Sequence, residues 1–437
     1  MKRIEKLFIM IAIPIGILYM MFMLPTYAPD ESAHIWKAYE ISRGIFFTNE
    51  YTTIPKDLLE NQQEKLNTYN ALKENLNKKT NYDDTIDVVS PAQAYPFFLY
   101  IPSAIGIAIG RALNINILYG IYIGKLFNFI IYVTLGYYII KKLPFGKIVA
   151  FVYLLLPMII CQAISLSADS IMNSLILFYI AYILQLVYKE KPSKIDKVMC
   201  IILPILITIS KIAYLPIIGL NFLLIKKEGI SKKEKTIILG IGTTICIIAA
   251  IVYYMYTMSF NASSAVKEYI EATNVNSTEQ IKLIITKPII YVKAMIKTIC
   301  IYGQYYLDTF IGSQLGWLDI MVNRTIVNSF IVILLFAPFL ENHKEELNKK
   351  QKIWILLLAL LTSIIIITGL YITWSPVGGD LALGVQGRYF IPVIILFLLC
   401  LCMKDNYIRI KNIDKWIAIT IGVLNILVLI TIFRFFI

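Results

Sequence analysis

Across 437 residues the chain is 58% apolar and only 16% charged, against roughly 25% charged residues in a soluble domain. That composition excludes a soluble enzyme and points to a multi-pass membrane protein. The net charge of +13 does not imply a nucleic-acid partner either, because of where the charge lies. Loops 141–147, 189–197, 226–235, 341–352 and 404–415, with the N-terminus, hold 23 of the 41 Lys and Arg, which is the bias of loops retained in the cytoplasm.

The first apolar run, residues 4–24, is near the length that crosses a bilayer. It lacks a small-residue cleavage site, so it is expected to be retained rather than removed as a signal peptide. Lys2, Arg3 and Lys6 ahead of it place the N-terminus inside. The patch that follows, Pro29-Asp30-Glu31-Ser32-Ala33-His34, then emerges on the outer face, where nucleotide-activated substrates are absent. Two carboxylates and an imidazole at a membrane boundary are costly unless they serve a function. The alternative is a solvated acid pair capping a helix over 32–43. Loop 25–94 carries 11 acidic and 7 basic residues, and its stretch 55–79 reads as a polar helix anchored by Leu58, Leu59, Leu66 and Leu72.

Residues 95–113 contain Pro96, Pro102, Gly106 and Gly110. If both this segment and 117–140 crossed, Lys141 and Lys142 would lie outside, so 95–113 is expected to be re-entrant or interfacial. Segment 149–164 then runs out and 170–188 returns. Asp169 in the turn between them either caps the returning helix or faces a ligand. Between the basic loops at 189–197 and 226–235 there is room for two short helices of half a bilayer each. Their turn, Ser210-Lys211, is expected within the membrane or a cavity, where a lysine calls for an anion.

Segment 237–256 leads to a second large external loop, 257–323. In it, Lys282, Lys293 and Lys297 punctuate an apolar helix over 280–301, as if lying on lipid headgroups. Segments 326–340, 353–371, 389–403 and 416–433 complete about eleven crossings, with the C-terminus outside. Before the third of these, Gly384-Val385-Gln386-Gly387-Arg388-Tyr389 combines glycines that permit close approach with an arginine suited to phosphate. The opposing reading of Arg388 is a snorkelling interface arginine beside an anchoring tyrosine. His343 is expected to be solvated in a cytoplasmic loop. The six cysteines have no metal-ligand spacing and are expected in the core, and the sequons at Asn261, Asn276 and Asn323 carry little weight.

Several elements recur together and in order: Pro29-Asp30-Glu31 with His34, Gly44, Tyr95-Pro96, Ser167-Ala168-Asp169 and Ser210-Lys211. They are followed by Gly312-Ser313-Gln314-Leu315-Gly316-Trp317-Leu318-Asp319 and by the run from Gly384 to Pro392. Over about residues 20–400 this resembles a large family of bacterial predicted membrane proteins related to GT-C-type glycosyltransferases. The resemblance implies an all-α integral membrane protein of the bacterial plasma membrane. Its fold would be one GT-C-like bundle over 1–437, with juxtamembrane helices in the two external loops.

It further implies inverting transfer of a sugar from a polyprenyl-phosphate carrier, such as undecaprenyl phosphate, to a cell-surface glycan or glycolipid outside the membrane. Asp30 or Glu31 would be the catalytic acid, and which of them is the base stays open. His34, Asp169, Lys211, Gln386, Arg388 and Tyr389 would bind substrate, with Lys211 and Arg388 on the phosphate. A divalent cation, magnesium or manganese, would sit among Asp30, Glu31 and Asp169 if one is used, though many such enzymes need none. Alternatives are a transporter or flippase for lipid-linked glycans, using the same basic residues, or a polysaccharide polymerase.

Overall fold

The computed structural model describes residues 4–47, 51–60, 66–257, 264–404 and 411–437; Lys2, Arg3 and Asn261 lie outside them. The first apolar run forms α1 (Ile4–Phe22). Asp30, in the left-handed region at φ 60°, precedes α2 (Glu31–Ser42), which is closed by Gly44 at φ 84°, a conformation glycine adopts without a Cβ penalty. The stretch expected as one polar helix is broken. Strand β1 (Thr52–Pro55) and the short helices α3 (Lys56–Glu60) and α4 (Tyr69–Leu76) precede β2 (Thr85–Val88), which pairs antiparallel with β1. Proline at the strand end and the side-chain cap of Thr68 on the Ala71 N–H set these boundaries. Leu58, Leu66 and Leu72 are nevertheless buried anchors.

Two 3₁₀ turns, Pro91–Ala94 and Phe97–Tyr100, lead into α5 (Ile101–Ala112), which folds back on α6 (Ile117–Lys142). Glycines make this hairpin possible, since a Cβ on Gly106 would stand 2.2 Å from the Gly124 nitrogen and one on Gly110 2.8 Å from the Gly120 Cα. Both ends of α5 meet the first loop. Tyr100 bonds His34 at one end, and at the other Arg111 donates to the Ser42 carbonyl while Asn116 donates to the carbonyls of Asn75 and Lys78. Both ends of the segment are thus packed on the first loop.

The next expected span is split into α7 (Lys147–Leu154) and α8 (Pro157–Ala163), because Pro157 cannot donate to the preceding turn. Apart from Lys147, every residue of both is buried, so they form the centre of the bundle. Beyond them run α9 (Ala168–Tyr188) and α10 (Lys194–Ser210), the latter opened by a Ser193–Asp196 capping box. With 17 residues and about 25 Å of rise, α10 is longer than the half-bilayer helix expected there. Its partner, Ile212–Leu224, is a 3₁₀ helix whose carbonyls at Ile218 and Gly219 accept bonds from Tyr179 and Trp354.

Helices α11 (Lys232–Lys235) and α12 (Gly242–Thr257) join through a π turn. The second large loop carries α13 (Ser264–Thr273), α14 (Ser277–Thr286) and α15 (Pro288–Ile311). The continuous helix expected over 280–301 is thus interrupted before Pro288, and Lys297 pairs with Asp380 at 2.6 Å rather than reaching toward headgroups. A small hairpin of β3 (Gln314–Leu315) and β4 (Ile320–Met321) precedes α16 (Arg324–Phe336), α17 (Lys349–Trp374), α18 (Ile391–Leu401) and α19 (Ile413–Phe435). Asn276 and Asn323 serve as helix N-caps.

The result is a nearly all-α membrane protein. Among the described residues, six helices are long and apolar enough to cross a bilayer: α1, α6, α9, Lys232–Thr257, α17 and α19. About eleven were expected. The remaining apolar helices are shorter, interrupted by proline or by 3₁₀ turns.

The two ends of the bundle differ in charge. At the far end of α6 the basic loops gather, with Lys142 on Gln185, Lys227 on the Val187 carbonyl and Lys352 on the Cys402 carbonyl. There Glu341 accepts the Ile148 N–H (2.9 Å), folding its loop inward, so His343 is buried beside Glu341 (3.5 Å) instead of solvated. The acidic first loop lies at the other end, where the Tyr69 N–H donates to the Phe436 carbonyl and Trp317 donates to the Thr26 carbonyl. Of the six cysteines, all free, only Cys300 is exposed.

The α5–α6 hairpin supplies a test. Gly106→Ala should destabilise the protein by about 1–3 kcal/mol or more, because the clash is with backbone. Gly303→Ala, at a position with no atom within 4 Å of the added Cβ, should be neutral or slightly stabilising. Thermal unfolding in detergent compares the two.

Candidate functional site

Helix starts and turns at the acidic end converge on a cavity of about 360 Å³. Asp30 and His34 come from the start of α2, Asp169 from the first turn of α9, Lys211 from the joint between α10 and the following 3₁₀ helix, and Arg388 and Tyr389 from the 3₁₀ turn Gly387–Phe390. Tyr95 closes one side. The opposite wall is apolar, with Ile365, Ile366, Leu370 and Trp374 presented by α17.

Arg388 organises the polar end. It is 4% exposed and each of its nitrogens is engaged: Nε donates to Gln386 Oε1 (2.7 Å), Nη2 to Asp30 Oδ2 (2.9 Å) and to the Tyr389 hydroxyl (3.4 Å), and Nη1 faces Asp169 Oδ2 at 3.8 Å. Its turn is pressed close to α15, since the Gly387 N–H donates to Thr309 and any Cβ at Gly387 would meet the Tyr306 carbonyl at 2.1 Å. Asp30 can reach Arg388 because its left-handed backbone leaves the carboxylate free of any capping bond. Asp169 is not the helix cap that one sequence reading allowed. Ser167 performs that task, accepting the Asp169 N–H at 3.2 Å, which frees the Asp169 side chain for the cavity near the positive end of α9.

Lys211 faces the same space without an ion-pair partner among the described residues. Its ammonium lies 4.7 Å from the Tyr389 ring and 5.9 Å from that of Tyr214, contacts that favour the charged form. His34 bonds the Tyr100 hydroxyl through Nδ1 at 2.6 Å and stacks on that ring at 5.8 Å. The polar end thus offers one clamped guanidinium, one uncommitted ammonium, two carboxylates and an imidazole.

Glu31 is a correction. It does not line the cavity, and its side chain is fully buried, ion-paired with Lys125 at 3.3 Å. It also accepts N–H bonds from Leu166 (3.0 Å) and Ala28 (3.3 Å). Adjacent residues at a helix start point in different directions, and here one faces the cavity and the other the core. Its role is to tie α2 to α6 and to the turn before α9. Gln386 likewise acts on Arg388 rather than on the cavity, which it does not line. The three acids expected to share a cation are therefore not together. Among the described residues no group of three or more His, Cys, Asp or Glu side chains is placed to hold a metal ion.

Sequence reasoning missed Tyr100 and Lys125, and it noted Tyr95 only within the recurring Tyr95-Pro96 element, without a site role. Tyr100 gave no signal among 29 tyrosines. Lys125, a single lysine inside an apolar span, was detectable by the same rule that exposed Lys211.

Two outcomes follow. Glu31→Gln leaves the Lys125 ammonium buried without a counter-charge and should cost about 3–5 kcal/mol in unfolding experiments, while Glu31→Met with Lys125→Met should recover only part of that loss, since the Leu166 and Ala28 N–H groups lose their acceptor. Burial pushes the His34 imidazole down to about 4, with Asp169 and Asp30 opposing the shift and Arg388 and Lys211 adding to it. The unfolded chain then binds this proton near pH 6.5 and the folded one only near 4, so stability falls as pH drops through that window and the penalty is absent above it. His34→Asn, which keeps a partner for Tyr100, should flatten the melting temperature between pH 6.5 and 4.

No curated protein and no solved structure matches the chain. A family model described as "Predicted membrane protein (DUF2142)" matches residues 14–397, which include every cavity-lining residue. The protein belongs to this family of predicted membrane proteins.

Proposed function

We propose that the protein is a membrane glycosyltransferase of GT-C type that moves a sugar from a polyprenyl-phosphate carrier to a cell-surface glycan or glycolipid. The observation that carries this reading is the pairing, in one cavity, of Arg388 and Lys211 with an apolar wall from α17. An amphipathic anion with a phosphate at one end and a prenyl chain at the other matches both halves. The neighbouring carboxylates supply what transfer needs and simple lipid binding does not. The site would face the extracytoplasmic side of a bacterial plasma membrane, since the basic loops gather at the other end of the bundle.

The donor phosphate competes with Asp30 for Arg388 and meets Lys211 on its other side. Displaced from the guanidinium, the Asp30 carboxylate, 60% exposed, accepts the proton of the acceptor hydroxyl. The hydroxyl oxygen attacks the anomeric carbon from the face opposite the phosphate, and the bond between that carbon and the phosphate oxygen breaks with its electron pair. Polyprenyl phosphate leaves with the developing negative charge held by Arg388 and Lys211. The new glycosidic bond has the inverted configuration. Asp169 keeps Arg388 oriented throughout, and no step requires Glu31.

The test uses purified protein in nanodiscs with a panel of radiolabelled polyprenyl-phosphate sugars and cell-envelope acceptors. Acceptor-dependent release of polyprenyl phosphate is expected. Asp30→Asn should lower it about 10²–10⁴-fold, the usual contribution of a general base, with carrier binding retained. Carriers that bind but are never consumed would overturn the reading in favour of transport.

A further inference from the structure

A second depression, larger than the first, opens on the outer surface of the acidic end. Its volume is about 650 Å³, and Ser42, Lys79, Thr80, Asn81, Tyr82 and Asp83 form one side while α5 and its exit, from Ala108 through Arg111 to Asn114, form the other. Its floor and rim are held by the backbone. Thr80 Oγ1 accepts the Ile117 N–H (2.9 Å), the Tyr82 hydroxyl donates to the Ile115 carbonyl (2.7 Å), and the Asn81 N–H donates to Asp57 (2.8 Å). Arg111 is fixed from below by the Ser42 carbonyl (3.0 Å) and by the Tyr39 ring at 5.3 Å.

Against this rigid frame, the side chains of Lys79, Asp83 and Asn114 are exposed and make no hydrogen bond or ion pair among the described residues. A rim pinned at its backbone, with donors and acceptors of both charges left free, is preorganised for a ligand rich in hydroxyl groups. Apart from Ala108 and Ala112, its lining residues all carry polar side chains.

Its position relative to the cavity is also informative. Helices α2 and α5 run side by side in the same direction, joined by His34–Tyr100 at the cavity and by Ser42–Arg111 at the depression. From His34 to Ser42 is eight residues, or about 12 Å along the helix. A chain lying along these two helices would have its end at Asp30 and its body at Arg111.

We propose that this depression docks the glycan chain of the acceptor, several sugar units back from the hydroxyl that reacts. The proposal rests on the glycosyl-transfer reading for its role, but the binding site itself is separable from it. Neither Lys79, Asp83 nor Ala112 belongs to the cavity.

The experiment titrates the full chain in nanodiscs with soluble oligosaccharides of four to eight units, neutral, amino-substituted and phosphorylated. At least one should bind. Lys79→Ala with Asp83→Ala, which removes free side chains only, and Ala112→Trp, which fills the depression, should each weaken that binding about tenfold or more, the scale of one or two lost hydrogen-bonding groups. In transfer assays the same two variants should raise the acceptor KM with kcat preserved. The proposal is overturned if no oligosaccharide binds, or if binding survives Ala112→Trp. Binding with the expected variant pattern but without any sugar transfer would keep the docking site and overturn the transferase reading instead.

Discussion

Everything at the acidic end depends on one buried ion pair. Removing two charges from water is costly, and the Glu31–Lys125 pair offsets that cost only because two backbone N–H groups complete the carboxylate. Those N–H groups come from Ala28, before α2, and Leu166, before α9, while the lysine is on α6. One carboxylate thus fixes the relative positions of three elements, and two of them deliver Asp30 and Asp169. Loosening this knot would displace both cavity acids together, although neither touches it.

The cavity repeats the logic with opposite sign. There a guanidinium is the hub and the acids are its ligands, and its three nitrogens face Gln386, Asp30, Tyr389 and Asp169. With Lys211 counted, two cations balance two carboxylates without a guest, and Lys211 is the cation not tied into an ion pair. A hub that shares its donors among weakly held partners can exchange one of them for a phosphate without leaving a buried charge bare.

Much of this could be read from sequence because polar groups in apolar surroundings announce themselves. Asp30, His34, Asp169, Lys211, Arg388 and Tyr389 were each singled out on that ground, and all line one cavity. What sequence could not supply was direction. Asp30 and Glu31 are neighbours of the same charge, and only the packing of α6 decides that one turns inward to Lys125. Helix continuity was equally hidden. Residues 55–79, 149–164 and 280–301 look unbroken by composition, yet prolines and side-chain caps divide each of them. Counting apolar runs gave about eleven crossings, of which six, among the described residues, are single helices long and apolar enough to span a bilayer.

The winding of Ile212–Leu224 sets where Lys211 can stand. A 3₁₀ helix climbs about 2.0 Å per residue against 1.5 Å for an α-helix, so these 13 residues reach about 6.5 Å farther than the same residues in the commoner form. Wound as an α-helix, the same residues would span less of the distance between Lys211, where α10 ends, and Leu224. The cavity's one uncommitted cation is held up by an unusual helical pitch, and Tyr179 and Trp354, by taking carbonyls from that segment, are what keep it stretched.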